Sequence, residues 1–300
     1  EYMSELKSKN EVDFNDMIND AIKVLNKEGK IKPYKYIIID EYQDTSLTKY
    51  NLIKTIKNKT QAKLFCVGDD FQSIYRFTGC NLDIFLNFKK YYKNSRIMKI
   101  ENTYRNCIDL IKVSGNFIMK NNHQMRKKLK SSKKLKKPIK IIYYKSIKDS
   151  FEKLILDIYS ENNNGIMVLG RNNNDIYKYL NSNFKLENQN IIYLKNENIK
   201  IRYLTVHKSK GLEEENVIIV NLENKINGFP SKIENNEILK YVLNENDNYP
   251  YEEERRLFYV ALTRTKNNVY LFVNKKNESI FVKEIINNYK SCIQIFKNYL

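Results

Sequence analysis

Two adjacent carboxylates, Asp40 and Glu41, follow directly on the apolar run Tyr36-Ile37-Ile38-Ile39. A run so rich in β-branched residues predicts a strand buried on both faces, with the acids at its C-terminal end, where open parallel sheets place their ligands. Neighbouring strand residues point to opposite sides, so one acid could hold a metal ion while the other faces solvent. That arrangement suits phosphoryl transfer, with a carboxylate on Mg²⁺ beside a base that orients the attacking water. The competing reading is two surface acids capping a helix that starts near Asp44. A second polar cluster, Gly68-Asp69-Asp70-Phe71-Gln72, ends another short apolar run at 63–67. The neutral amide of Gln72 could touch both a terminal phosphate and the hydrolytic water. Tyr75 and Phe77 stand two apart, which in an extended segment puts both rings on one face, as stacking on exposed bases requires. The alternative is an aromatic pair in the core.

The elements that must position these groups alternate. Apolar residues recur at helical spacing over 12–25, with Asp13 as N-cap and Gly29 and Pro33 as terminators. The strand at 36–39 precedes a helix opened by Asp44 or Thr45, then the strand at 63–67 and a helix over 82–92. This β-α-β-α run argues for a parallel sheet with helical crossovers. After Ser95 the alternation restarts, with strands expected at 97–100, 139–144, 166–169, 203–206, 217–222 and 269–273. Helices are expected at 107–120, 150–159, 175–181, 252–262 and 279–289. The chain therefore reads as α/β with two domains, 1–95 and 96–300.

Composition narrows the class. Hydrophobic residues make up 42%, enough for real cores, and no apolar run approaches the roughly 18 residues that a membrane span needs. The N-terminus is acidic and polar, unlike a signal peptide, and lacks an initiator Met, as expected for a piece of a longer protein. Cys66, Cys80, Cys107 and Cys292 lie far apart with no C-x-x-C pairing, which implies a reducing cytoplasm and no zinc site. A net charge of +18 favours a polyanionic partner, although Lys, Asn, Ile and Tyr are inflated together as an AT-rich genome would produce. The densest basic run, Arg126 to Lys137, reads either as a solvated linker or as a direct phosphate contact.

Taken together, the two strand-end clusters resemble helicase motifs II and III of the UvrD/Rep branch of superfamily 1. Three more blocks follow in the family's order. Glu101-Asn102-Thr103-Tyr104-Arg105-Asn106 resembles motif IV, and Thr205-Val206-His207-Lys208-Ser209-Lys210-Gly211-Leu212-Glu213 resembles motif V. Glu252-Glu253-Glu254-Arg255-Arg256-Leu257-Phe258-Tyr259-Val260-Ala261-Leu262-Thr263-Arg264 resembles motif VI. The Gly228-Phe229-Pro230 turn and the short span between motifs IV and V are most similar to the DNA helicase IV group. The resemblance implies RecA-like motor domains of the P-loop NTPase class, the first incomplete, that use ATP and Mg²⁺ on single-stranded DNA and at duplex junctions. It implies that Asp40 binds Mg²⁺, that Glu41 activates water and that Gln72 senses the γ-phosphate. Tyr104 would stack on adenine, Gly211 would lie beside the nucleotide and Glu213 would bond its ribose. Arg105 and Arg264 would neutralise the γ-phosphate as arginine fingers. Either arginine, taken alone, reads rather as a surface ion-pair partner. Tyr75, Arg76, Phe77, Thr205 and His207 would contact DNA, with 3′→5′ movement and a role in repair or recombination.

Three departures qualify the resemblance. The family usually carries Trp-Arg where this chain has Phe77-Thr78, which shrinks a stacking surface and removes a cation, although helicase IV-like proteins favour Phe there. No G-x-x-x-x-G-K-[ST] loop occurs, and 185–200 has no room for the large 2B insertion. The chain thus resembles the C-terminal portion of a helicase, expected to be inactive alone. The rival expectation is a non-catalytic nucleic-acid-binding relative.

Overall fold

The computed structural model describes residues 1–28, 31–162, 165–233 and 249–299; Gly29 lies outside them. The chain divides into two compact units, Glu1–Ile97 and Met98–Leu300.

In the first unit the helices Tyr2–Lys9 and Phe14–Glu28 lead into strand β1, Tyr36–Ile39. Asp13 caps the second helix, its Oδ1 accepting the Asp16 amide at 2.7 Å. The helix Leu47–Thr60 connects β1 to strand β2, Lys63–Cys66, and the two strands run parallel with Ile37 opposite Leu64. Four sequence expectations need correction here. Strand β1 is not buried on both faces, because β2 is its sheet partner among the described residues and Ile38 stays 74% exposed. Its inward residue Ile39, with Leu64 and Cys66, packs on a cluster of Tyr42, Tyr50, Ile84 and Tyr92. The crossover helix opens at Ser46 rather than Asp44 or Thr45, since Ser46 Oγ accepts the Lys49 amide at 3.3 Å and residues 42–44 form a 3₁₀ turn. The helix expected over 82–92 breaks at Asn87, whose side chain turns back to Asp83. Finally, across the boundary into the second unit, residues 97–100 form no strand, with Met98 and Ile100 exposed.

The second unit is built on a mixed sheet of order β10-β3-β9-β8-β4-β7-β6-β5. Its parallel body comprises β3 (Ile139–Tyr144), β4 (Ile166–Gly170), β7 (Ile201–Thr205), β8 (Glu214–Ile219), β9 (Thr265–Asn274) and β10 (Ile293–Tyr299). Strands β5 (Phe184–Glu187) and β6 (Asn190–Tyr193) add an antiparallel edge. One face buries Ile142, Val168, Ile218 and Phe272 against the helix Ile147–Asn162, while the alternate residues Ile141, Met167, Val217 and Leu271 are buried on the other. The helices Ile108–Ile118, Glu252–Leu262 and Ile280–Asn288 meet through Phe117, Phe258 and Phe281, whose ring centroids lie 5.1–5.4 Å apart. The helix expected over 175–181 shrinks to the 3₁₀ turn Asp175–Lys178.

Candidate nucleotide and nucleic-acid sites

In the first unit the acids sit where the parallel pair ends. The ladder runs one step past the strands, with the Val67 amide donating to the Ile39 carbonyl and the Tyr42 amide to the Val67 carbonyl, both at 2.8 Å. Between them the chain turns at Glu41, which takes a left-handed φ of 50°, uncommon for a non-glycine residue and a form of strain that gathers at functional sites. Asp40 and Glu41 therefore do not continue the strand's alternation. Asp40 Oδ1 accepts the Glu41 amide at 2.8 Å, and both carboxylates are exposed.

A residue that carried no assigned role holds this corner together. Gln43 is fully buried; its Nε2 donates to Glu41 Oε2, and its Oε1 accepts the Asp69 amide at 2.9 Å. Asp69 Oδ2 in turn accepts Gln72 Nε2 at 2.9 Å. One buried amide thus links the end of β1 to the end of β2 and, through Asp69, orients Gln72. Gly68 makes room for it, because a Cβ there would lie 2.5 Å from Gln43 Oε1 and 2.7 Å from Phe85. Mg²⁺ binds through one or two carboxylates while keeping several waters and bridging to phosphates. An exposed aspartate beside a fixed glutamate fits that demand, whereas a multi-ligand metal cage is absent among the described residues.

Tyr75 and Phe77 lie around the 3₁₀ turn Arg76–Thr78, not in an extended segment. Their rings still meet edge-on, with centroids 6.1 Å apart, and Phe77 is 66% exposed, so the core alternative does not hold for Phe77. Cys80 Sγ donates to the Asp44 carbonyl at 3.0 Å, tying this turn to the acidic corner. Cys66, at the end of β2, is an inert thiol whose pKa burial pushes up to about 12.

In the second unit the candidate nucleotide residues gather at the opposite pole of a strand, its N-terminal end. Glu213 directly precedes β8 and Arg264 directly precedes β9, and these strands pair with Glu214 opposite Thr265. Arg105, which follows no strand, reaches this edge from a loop and forms an ion pair with Glu213 through its Nε; Lys266 Nζ joins the same carboxylate at 3.3 Å. The Arg105 hydrogen bond, with help from Lys266, holds the Glu213 pKa below the usual carboxylate range. Arg264 is buried, its Nε donating to the Val260 carbonyl at 3.1 Å and its Nη1 to the Leu212 carbonyl at 3.4 Å. Asn106 was also missed. Its buried Nδ2 donates to the carbonyls of Thr263 and Thr265 at 3.2 and 2.7 Å, so the neighbour of Arg105 grips the backbone on both sides of Arg264. Tyr104 stands clear, 84% exposed.

Gly211 has a turn to make. Lys210 at φ −58°, ψ 133° and Gly211 at φ 81° form a type II turn, closed by the Leu212 amide on the Ser209 carbonyl at 2.9 Å. Arg255 and Arg256 in the motif VI helix are structural. Arg255 pairs with Glu284 and lies over the Phe117 ring at 4.6 Å, while Arg256 pairs with Glu252 at 2.8 Å.

Thr205 and His207 lie at the other end of the sheet. Thr205 ends β7 opposite Gly170 of β4, about six residues, or roughly 20 Å, along the strands from the level of Glu214. Thr205 is buried and its Oγ1 accepts the Lys208 amide at 3.4 Å, making the 3₁₀ turn His207–Ser209. Burial, then the charge of Arg171, pulls the His207 pKa down to about 4, so the ring is neutral at pH 7. Arg171 is itself paired with Glu254 at 2.8 Å.

Comparison with known proteins points one way. Residues 1–93 match the UvrD/REP helicase N-terminal domain and residues 177–276 the UvrD-like helicase C-terminal domain. The chain is 34% identical to DNA helicase IV of Escherichia coli K12 over 285 residues, covering 94% of this chain and 40% of that protein. It is 28% identical to the ATP-dependent DNA helicase Rep of Buchnera aphidicola subsp. Acyrthosiphon pisum, covering 100% of this chain and 45% of the relative. With the ATP-dependent DNA helicase PcrA of Bacillus subtilis it shares 31% identity over 48% of this chain and 20% of that one. The chain thus spans less than half the length of each of these relatives. The mostly parallel sheet flanked by helices is the RecA-like α/β architecture that the motifs implied.

Proposed function

This chain belongs to the UvrD/Rep-like helicase family, and on that premise we propose that it forms part of an ATP-dependent DNA translocase whose two units serve one cycle of ATP hydrolysis. The observation that carries the reading is the Glu41–Gln43–Asp69–Gln72 chain of hydrogen bonds. It fixes a carboxylate and a neutral amide at the ends of two adjacent parallel strands.

Glu41, held by Gln43, orients the attacking water and accepts its proton; Gln72, held by Asp69, senses the terminal phosphate. Asp40 is the residue that would hold Mg²⁺, which when bound supplies neutralisation of phosphate charge. Arg105 and Arg264 stabilise charge developing on the phosphoryl oxygens, and Tyr104 offers its open ring to adenine. Catalysis is then positioning and charge stabilisation, with little covalent chemistry from the protein. Phe77 and Tyr75 stack on bases, and His207, neutral at pH 7, contributes hydrogen bonding rather than charge. Movement runs 3′→5′ on single-stranded DNA, with entry at duplex junctions and a place in repair or recombination in the cytoplasm.

The 300 residues hold no phosphate-cradling glycine loop, so the chain alone should hydrolyse ATP negligibly. The test is an ATPase assay of the longer protein that contains this chain, with and without single-stranded DNA. DNA-stimulated hydrolysis that disappears on Glu41→Gln supports the reading. Hydrolysis indifferent to that change would remove Glu41 from the chemistry, and DNA binding without turnover would mark a non-catalytic relative instead.

A further inference from the structure

The basic run from Arg126 to Lys137 is neither a free linker nor part of the sites described above. It lies extended along the motif IV segment. The Lys130 amide donates to the Glu101 carbonyl at 2.7 Å, the Thr103 amide to the Lys130 carbonyl at 2.8 Å and the Ile108 amide to the Lys133 carbonyl at 3.0 Å. Lys99 Nζ reaches the Arg126 carbonyl at 2.8 Å, Glu101 Oε1 accepts the Lys128 amide at 3.0 Å, and Lys133 Nζ reaches the Lys266 carbonyl at 2.7 Å. Anchored in this way, the segment acquires a face. Lys127, Leu129, Ser131, Lys133 and Leu135 are half-buried, whereas Arg126, Lys128, Lys130, Ser132, Lys134 and Lys136 are exposed. The strap therefore sorts its side chains by the period of an extended chain.

We propose that this strap is a second nucleic-acid track, binding the phosphates of a strand at the N-terminal edge of the sheet, opposite the edge that carries Thr205 and His207. Two residues of extended chain advance about 6.6 Å, so the exposed cations form a line rather than a cluster. One strand of a duplex carries a phosphate every 3.4 Å or so of axis, about two for each cation. An anionic membrane would call for apolar residues among the cations, and Leu129 and Leu135 are on the half-buried face. Charge without base-reading side chains implies binding indifferent to sequence. The strap's anchor is the backbone beside Tyr104 and Arg105, so strand binding here bears on the loop that carries both. Binding along the strap requires no ATP hydrolysis.

The experiment titrates the chain with labelled oligothymidylate and with a labelled duplex, across a salt series. The variant replaces Lys128, Lys130, Lys134 and Lys136 with Gln; their backbone anchors remain. If all four touch phosphates, the slope of log K against log salt should flatten by about 3 for a single strand or about 3.6 for a duplex. The arm that flattens identifies the form of nucleic acid. Lys→Arg at the same four positions should restore the slope. A control neutralises the exposed Lys49, Lys59, Lys145 and Lys148 for the same change in net charge and should leave the slope near wild type. The track is refuted if the strap variant binds both DNAs like wild type, or if the control flattens as much. Loss of poly-glutamate binding with DNA binding intact refutes it too, and marks an acidic protein as the partner.

Discussion

The two units treat their candidate catalytic groups in opposite ways. In the first, Asp40 and Glu41 at the end of β1 are exposed, Gln72 past the end of β2 is half-buried, and a buried amide does the positioning. In the second, the groups stand at the N-terminal ends of β8 and β9 and are already engaged: Arg105 by Glu213, Arg264 by backbone carbonyls. Exposed acids on a fixed frame meet a substrate with little rearrangement. Arginines held by protein partners would have to exchange them to meet a polyanion, so under the proposed function part of the binding energy would go to releasing Arg105. The first unit is built for readiness and the second for restraint.

That contrast is open to direct attack. The largest effect is expected from Arg264. In the longer protein, Arg264→Lys keeps a charge but loses the planar fork, and should cost about 10³–10⁵ in kcat if the residue acts as an arginine finger. Glu41→Gln should lower kcat by about 10²–10⁴, the range for a positioned general base, with the melting temperature unchanged because the side chain is exposed. Equal loss of stability in both variants would erase the difference between the units. Gln43→Ala tests the frame. It leaves the Asp69 amide without its acceptor, which should destabilise by about 1–3 kcal/mol, and it should lower kcat while Glu41 and Gln72 are both present.

Asn106→Ala should cost a similar 1–3 kcal/mol by orphaning the carbonyls beside Arg264. Smaller still is a pH effect confined to the second unit. His207 has a folded pKa near 4 against an ordinary value of 6.5. As pH falls from 6.5 towards 4 the unfolded chain takes up a proton that the folded chain refuses, so stability present above 6.5 is lost through that window. His207→Gln should flatten the decline of melting temperature between pH 6.5 and 4; an unchanged profile would mean that the ring titrates normally.

Much of this is legible in the sequence, and what is not has physical causes. Strand β1 with its acids, the parallel pairing of β1 with β2, and the helix before Arg264 were all legible, because each is a local pattern of apolar period and cap. Gln43 escaped because its importance lies in a contact with Asp69, 26 residues away; nothing local distinguishes a buried glutamine from an exposed one. Asn106 reaches 157 and 159 residues along the chain, further beyond local reading. Residues 97–100 carry strand-like apolar content, but the segment after them pairs with the basic strap at Asn102 and Lys130 instead. The β5–β6 hairpin hides its turn in Asn188, which takes a φ of 55° without the glycine usually sought there. Strand β10 is signalled only by the short alternation Ile293-Gln294-Ile295.

The central claim is that Glu41 and Arg264 serve the same chemical step, and a double-mutant cycle measures that directly. Single-turnover ATP hydrolysis by the longer protein, saturated with single-stranded DNA, should be compared for wild type, Glu41→Gln, Arg264→Lys and the double variant. Residues that act as a unit are strongly non-additive, so the double variant should be no slower than the slower single one. Two losses that simply multiply would contradict the account, because the acid and the arginine would then contribute independently of one another.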